Sequence, residues 1–209
     1  MKESSNANQL AIVAHQIGER LLFAAGFQQK GRAFYRVIEP GFAHIIELGL
    51  GQSWSMWSNQ FTVDVLVFLQ EAYEVLYSTP APHRPTGSHC ELSMRLGLLD
   101  SPPADKWWPL STPIESLVAD VETRIERLAL PFLSKLAGRR AFVDEWRKRG
   151  NEALGLKPRG NLVAAIVLKQ LGDEDEAKEI IRATLLESIG QPTERFYAQI
   201  AAKLGVSPE

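Results

Sequence analysis

Hydrophobic and polar positions between residues 33 and 70 alternate with the period of a β-strand. Successive side chains of a strand point to opposite faces, so each run can be divided into an apolar and a more polar side. The predicted strands are Ala33 to Glu39, Phe42 to Gln52 and Gln60 to Gln70. Pro40-Gly41 predicts a tight turn between the first two, so the pattern indicates an antiparallel sheet.

One face of this sheet is predicted to be an apolar stripe that needs a cover. Its members are Phe42, His44, Ile46, Leu48 and Leu50 in the second strand, and Phe61, Val63, Val65, Val67 and Leu69 in the third. Residues 6–25 have apolar positions at three- and four-residue steps and Gly26 at their end, which predicts an amphipathic helix as that cover. The opposite face is more polar, and it is either solvated or covered by later elements.

The middle of the chain predicts less regular structure. Residues 71–77 either extend the third strand or form a short helix, and residues 78–89 are a proline-rich loop. A fourth strand is predicted from Cys90 to Leu96, with Cys90 on the same face as Leu92. Trp107-Trp108-Pro109-Leu110 suits a short strand at the sheet edge.

The last part of the chain has helical periodicity. Thr112-Pro113-Ile114-Glu115 predicts a helix start with a threonine cap. Further helices are expected at 139–149, 161–171, 173–188 and 193–204. The predicted fold class is therefore α+β: an antiparallel four- to five-stranded sheet packed on an N-terminal helix, followed by a helical C-terminal region. The expected division is a sheet domain over residues 1–137 and a docked helical extension over residues 138–209.

The composition limits the possible binding partners and the cellular compartment of the protein. Apolar residues make up 45% of the 209 residues, charged residues 23%, and the net charge is −2. No clustered basic excess favours a nucleic-acid partner, and no run approaches the length of a membrane span. The first residues lack the apolar run of a secretory signal, and one cysteine permits no intrachain disulfide. We therefore expect a cytoplasmic protein whose oligomeric state stays open.

Catalytic and metal-binding chemistry have weak support in the sequence. His83, His89 and Cys90 are close in sequence, but they lack the ligand spacing of known metal motifs, so no metal or cofactor is predicted. Cys90 with His44 suits a nucleophile and base, but a small buried cysteine and a hydrogen-bonded core histidine are the favoured interpretation of the two residues.

Aromatic and charged positions are stronger candidates for binding. Trp54 and Trp57 flank a connection that is predicted to be exposed, near the loop that contains His83 and His89. Exposed aromatics suit a ligand cleft or a protein-binding patch; the alternative is that they cap the open end of the sheet. We expect a second candidate group on the polar sheet face, which is either a salt-bridge set or an active site. Its members are Arg36, Glu47, Asp64 and Arg95.

The order of several segments resembles the bacterial family called domain of unknown function 4304, over about residues 10–135. The segments are Gly26-Phe27, Phe34-Tyr35-Arg36, Ile45-Ile46-Glu47-Leu48, Phe61-Thr62-Val63-Asp64-Val65, Cys90 to Gly97, and Trp107-Trp108-Pro109-Leu110. Arg95-Leu96-Gly97 followed by the tryptophan pair is the more specific part. The resemblance implies an α+β domain of bacterial origin, and it implies no activity, cofactor or catalytic residue.

The leading functional prediction is a non-catalytic binding or protein-interaction module, which takes a protein partner or a small ligand. The alternative is a small enzyme that uses the polar sheet face (Arg36, Asp64 and Arg95) or the His44 and Cys90 pair.

Overall fold

The computed structural model describes residues 2–52 and 56–206, with side chains from residue 6 onward. Its strands are β1 (Gln28–Lys30), β2 (Ala33–Glu39), β3 (Phe42–Leu50), β4 (Gln60–Leu69), β5 (Leu92–Arg95) and β6 (Trp108–Pro109). Its helices are α1 (Lys2–Ile17), α2 (Gln70–Tyr77), α3 (Ile114–Arg124), α4 (Leu130–Ser134), α5 (Arg139–Ala153), α6 (Gly160–Gln170), α7 (Glu174–Ser188) and α8 (Glu194–Lys203). The predicted α+β class is confirmed.

The strands form one antiparallel sheet in the order β1-β2-β3-β4-β5, and β6 pairs with β4 beyond the end of β5. The described residues thus contain six strands where four or five were predicted. The additional strand β1 spans only three residues, which is too short for a period-2 pattern to reveal. Ile46 lies opposite Val65 and Leu48 opposite Val63, so the predicted apolar face is confirmed.

The apolar face is covered by α1 and α3, and buried side chains of both helices belong to the main core. Leu10, Val13 and Ile17 are fully buried in α1. The helical path continues beyond Ile17 through a π-helical turn over Gly18–Leu22, and Gly26, with a φ of 83°, follows it at the predicted end. Buried residues of α5 to α8 belong to the same core, and the domain division at residue 137 stays a prediction.

Two local predictions are wrong. Thr112 does not cap α3: Pro113 occupies the cap position, and no side chain there bonds the helix end. Cys90 does not share a face with Leu92, because β5 begins only at Leu92 and Cys90 follows a short turn over Gly87–His89. The alternation of a strand therefore does not extend back to Cys90.

The second face of the sheet has two unlike halves. One half is apolar, and residues of α2 and of the 78–90 segment cover it. This small cluster contains Ala43, Ile45, Leu66, Phe68 and Cys90, with Tyr35, Tyr73 and Ala81 packed against it. The other half has polar side chains from β3, β4 and β5, and it faces a cleft rather than a packed layer.

Candidate functional site

The cleft lies on the polar half of the second face, where β3 ends and β4 begins. It encloses about 390 Å³, which is within the range of small-ligand sites. Its lining comprises Gly49, Leu50, Gly51, Gln52, Trp57, Thr62, Asp64, Arg95 and Trp107. Three of the predicted site residues, Trp57, Asp64 and Arg95, are thus brought together.

A stack of aromatic rings forms one wall of the cleft. Trp57 and Trp107 lie parallel, with ring centroids 5.0 Å apart and planes inclined by 6°. The guanidinium carbon of Arg95 lies 5.1 Å from the Trp107 ring centroid, which is within the distance of a cation–π contact. The cleft wall is therefore built from the connection after β3, the end of β5 and the segment before β6.

Backbone contacts fix the two segments that contribute the tryptophans. Gly51 N–H donates to the carbonyl of Gln60 at 2.9 Å, and a Cβ on Gly51 would lie 2.0 Å from the Trp57 carbonyl oxygen. Only glycine permits this close approach. On the other side, the Thr62 hydroxyl donates to the carbonyl of Lys106 at 3.1 Å, next to Trp107.

Asp64 is the carboxylate of the cleft. It lies opposite Glu47 in the β3–β4 pairing and opposite Arg95 in the β4–β5 pairing. Burial raises its pKa to about 6; Glu47 and Asp105 act in the same direction, and Arg95 opposes them. The carboxyl group consequently changes protonation state near neutral pH.

The cation beside Asp64 already has partners. Arg95 Nη1 donates to Asp105 Oδ2 at 2.5 Å, while its guanidinium lies over Trp107. Glu47 accepts the Gly87 backbone N–H at 2.7 Å. Glu47 belongs to a neighbouring depression that Lys30, Arg32 and Arg84 also line, so the charged side chains of the cleft lining are Asp64 and Arg95.

Arg36 lies away from this group, which corrects the predicted charged cluster. It is opposite His44 in the β2–β3 pairing, on the apolar face. Arg36 donates to the Ala25 carbonyl at 2.8 Å and lies over the Phe27 ring at 4.7 Å. The sequence contained the signal, because Phe34 and Arg36 are two positions apart and must share a face.

The two loop histidines are also apart from the cleft. His83 lines a separate depression of about 220 Å³ beside Tyr35 and Phe68. His89 accepts the Thr86 backbone N–H at 3.0 Å and contacts the Tyr73 ring, so it closes the short turn before β5. Trp54 lies outside the described residues.

His44 and Cys90 lie on opposite faces of the sheet and form no nucleophile pair. His44 Nε2 is 2.8 Å from the Leu136 carbonyl oxygen, and its Nδ1 is 3.2 Å from Arg36 Nη2. These partners suit the neutral ring, with Nε2 donating and Nδ1 accepting. Cys90 is fully buried, and burial raises the pKa of its thiol far above the usual range, which makes it a poor nucleophile.

Trp107 is the site residue that sequence reasoning did not select. Of the two adjacent tryptophans, Trp108 is the buried one, and its indole N–H donates to Asp120 Oδ2 at 2.6 Å. The contact of Trp107 with Trp57 joins residues fifty positions apart, and no local pattern indicates it.

Within residues 2–52 and 56–206, no group of three His, Cys, Asp or Glu side chains is arranged to hold a metal ion. In the same part of the chain, the helices are too short or too polar to cross a bilayer.

The fold and the cleft define an α+β protein with an aromatic and acidic cleft on one face of an antiparallel sheet. The chain belongs to the family described as Domain of unknown function (DUF4304), whose model matches residues 19–135. This match covers more than half of the chain, includes every strand and confirms the resemblance noted in the sequence. No curated protein and no solved structure matches the chain.

Proposed function

We propose that this protein is a non-catalytic binding module, and that the cleft lined by Trp57, Trp107, Asp64 and Arg95 is its binding site. The single observation behind the proposal is the convergence of a stacked tryptophan pair and two charged side chains on one cleft. Aromatic walls with a few placed polar groups are typical of ligand sites. The occupant is a small ligand or a side chain of a protein partner.

The aromatic wall supports binding more than simple capping of the sheet. A cap would bury its rings in the core, as Trp108 does, yet Trp57 and Trp107 are only partly buried and line the open cleft. Rigid aromatic rings lose little conformational entropy when a ligand contacts them.

The proposal is tested by recording NMR spectra of the ¹⁵N-labelled full chain against fragments that are cationic, neutral and anionic. The indole N–H signals of Trp57 and Trp107 are assigned with single Trp→Phe variants. We expect some fragments to shift both signals and Trp57→Ala to remove that binding. Trp146→Phe is the matched control, because Trp146 bonds Asn151 in the helical region. A complete absence of fragments that shift these signals would overturn the proposal.

A second candidate function is a small enzyme that uses Asp64 as a general acid or base. The favouring observation is the pKa of Asp64, which burial raises to about 6, near the range that acid–base catalysis needs. Arg95 would then orient an anionic group of the substrate. Conversion of any fragment found in the cleft, lost in Asp64→Asn, would favour this candidate over simple binding.

We also propose that the protein acts in the bacterial cytoplasm and does not bind nucleic acid. The single cysteine suits a reducing compartment, and a net charge of −2 offers no attraction for a polyanion. Fractionation of cells expressing the chain from its own gene would test the first point, and a mobility-shift assay at low salt would test the second.

A further inference from the structure

We infer that the cleft selects a cationic head group, an ammonium or guanidinium, that inserts between Asp64 and the tryptophan wall. The inference rests on the proposed function and adds the chemical class of the ligand. The head group comes from a free amine or from a lysine or arginine side chain of a partner protein, and both present the same chemistry.

The first argument for a cationic ligand is the balance of charge around Asp64. Glu47 lies across the β3–β4 pair, Arg95 lies across the β4–β5 pair, and Asp105 contacts Arg95. Glu47 lies in a neighbouring depression with Lys30, Arg32 and Arg84, so the charges at the cleft itself are Asp64, Arg95 and the Asp105 that pairs with Arg95. Lys106 is directed elsewhere: its ammonium is 5.6 Å from the Trp108 ring centroid and 3.9 Å from Asp120. With Asp105 paired to Arg95, the Asp64 carboxylate leaves the cleft with one net negative charge when it is ionised, which favours a cation.

The second argument is the position of the Asp64 carboxylate, which a ligand can approach. A Cβ on Gly49 would lie 3.5 Å from Asp64 Oδ2. The carboxylate thus extends over a residue that has no side chain, and both residues line the cleft. This leaves room beside Oδ2 for a head group to approach and form a charge-assisted hydrogen bond.

The third argument for a cationic ligand is the aromatic wall of the cleft. The faces of tryptophan rings carry the negative end of the ring quadrupole and attract cations, and Trp107 already has Arg95 over one face. The parallel contact of Trp57 with Trp107 places a second indole at the same cleft. A cation that enters therefore meets a carboxylate and an aromatic surface together, as in sites that recognise alkylammonium groups.

Desolvation of Asp64 adds a consequence that can be measured. Burial disfavours the ionised carboxylate, as its raised pKa records. A bound cation would favour the ionised form, so binding must lower the pKa of Asp64. By linkage, binding must weaken as the pH falls through the pKa of this group.

The test uses n-butylammonium as the cationic probe, with 1-butanol and butyrate as neutral and anionic probes of the same length. Each is titrated to about 10 mM into the labelled full chain at low ionic strength. We expect the ammonium to shift the Trp57 and Trp107 indole signals, with an affinity at least about tenfold above that of butanol. Gly-Lys-Gly and Gly-Gln-Gly, each acetylated at the N-terminus and amidated at the C-terminus, form a second arm in which the lysine ammonium is the one charge. Tighter binding of the lysine peptide than of butylammonium indicates a side chain of a protein as the source.

Three variants separate a specific site from general attraction. Asp64→Asn should reduce ammonium affinity about tenfold, and Trp57→Ala should reduce it without changing the charge. Asp175→Asn, on the exposed surface of α7, should leave it unchanged. The carbonyl ¹³C signal of the Asp64 side chain should show a lower pKa with the ammonium bound.

The outcomes distinguish this inference from the proposed function. If butanol or butyrate shifts the two indole signals as well as the ammonium does, or if Asp64→Asn binds the ammonium normally, the cleft binds ligands and the cation inference is wrong. If no probe or fragment shifts these signals, both are wrong.

Discussion

Asp64 lies directly opposite Arg95 in the antiparallel pairing of β4 with β5, yet burial still raises the pKa of the carboxyl to about 6. The cation cannot compensate fully, because Arg95 is shared with Asp105 and with the Trp107 ring. An ionised carboxylate that is poorly compensated costs folding free energy, and groups with pKa values shifted in this way cluster at functional sites.

The first prediction concerns the effect of Asp64 on stability. A carboxyl whose pKa is raised in the folded state stabilises the protein when it is protonated, and it destabilises the protein as the pH rises through about 6. Asp64→Asn should therefore increase the free energy of unfolding by about 1–3 kcal/mol at pH 8 and change it little at pH 4. Urea titrations at both pH values measure this difference.

Asp175→Asn is the control for that experiment, because it removes an exposed carboxylate and should change stability little at either pH. An equal effect of Asp64→Asn at pH 4 and pH 8 would contradict the assignment of a raised pKa.

The second prediction concerns His44, whose contribution to stability changes with pH in the opposite direction to that of Asp64. Burial, followed by the Arg36 charge, lowers its pKa to about 4, while the Leu136 carbonyl acts against them. A histidine that is neutral when folded stabilises the protein above its unfolded pKa of 6.5, and this stabilisation is lost as the pH falls toward 4. Wild-type protein should therefore lose about 2–3 kcal/mol more than His44→Gln between pH 7 and pH 4.

Denaturant titrations of both proteins across this pH range measure the effect. Glutamine can donate to the Leu136 carbonyl and accept from Arg36, so the variant removes the titration and keeps the hydrogen-bonding groups. His15→Gln, on an exposed part of α1, is the control. If the free energy of unfolding changes with pH in parallel for wild type and His44→Gln, the pKa of His44 is not lowered to about 4 in the folded protein.

The sheet was predictable from sequence because its information is local. The alternation from Phe42 to Leu69 predicted both the strands and the face that packs on α1. The same rule, applied from Phe34, would have placed Arg36 on the apolar face beside His44. For Cys90 the rule failed for a physical reason: the turn before β5 interrupts the strand, and alternation has no meaning across it.

The cleft was only half predictable. Trp57, Asp64 and Arg95 were selected as residue types that suit binding, but their meeting depends on register and on a chain reversal after β5. That reversal brings the Ala104 N–H to the Gly97 carbonyl at 3.0 Å and returns Trp107 to Trp57. Contacts between such distant positions follow from the packed fold, which no window of sequence contains.

The third prediction uses the close approach at Gly51. A methyl group there would lie 2.0 Å from the Trp57 carbonyl, so Gly51→Ala must displace the connection between β3 and β4. We expect a cost of about 1–3 kcal/mol, typical of overpacking, and loss of the Trp57–Trp107 stack. Denaturant titration gives the first effect, and near-ultraviolet circular dichroism gives the second.

Gly49→Ala is a closely matched control. Its methyl group would meet Asp64 and Thr62 at 3.5 and 3.8 Å, which are ordinary contact distances. It should therefore change stability by less than about 1 kcal/mol, since a residue with a side chain suits a strand better than glycine does. Equal stability of Gly49→Ala and Gly51→Ala would contradict the interpretation that the close approach to the Trp57 carbonyl requires glycine at position 51.

The fourth prediction concerns the attachment of α5 to the sheet. Arg139 forms two parallel hydrogen bonds with Glu71, both 2.8 Å long, and a third with Glu39 at 2.9 Å. The side chains of Arg139 and Glu71 are each only 13% exposed. Arg139→Met leaves the Glu71 carboxylate buried without its cation, so we expect a loss of about 3 kcal/mol in the free energy of unfolding.

The neighbouring Arg140 offers a control for the same helix end. It pairs with Asp173 at 2.5 Å, but its side chain is 52% exposed, so the pair is well solvated. Arg140→Met should cost less than about 1 kcal/mol. Urea titrations at pH 7 compare the two variants directly. Arg139 joins α5 to β2 and α2, whereas Arg140 pairs with Asp173 at the start of α7. Equal losses in the two variants would mean that burial of the Arg139 group does not secure the helical region.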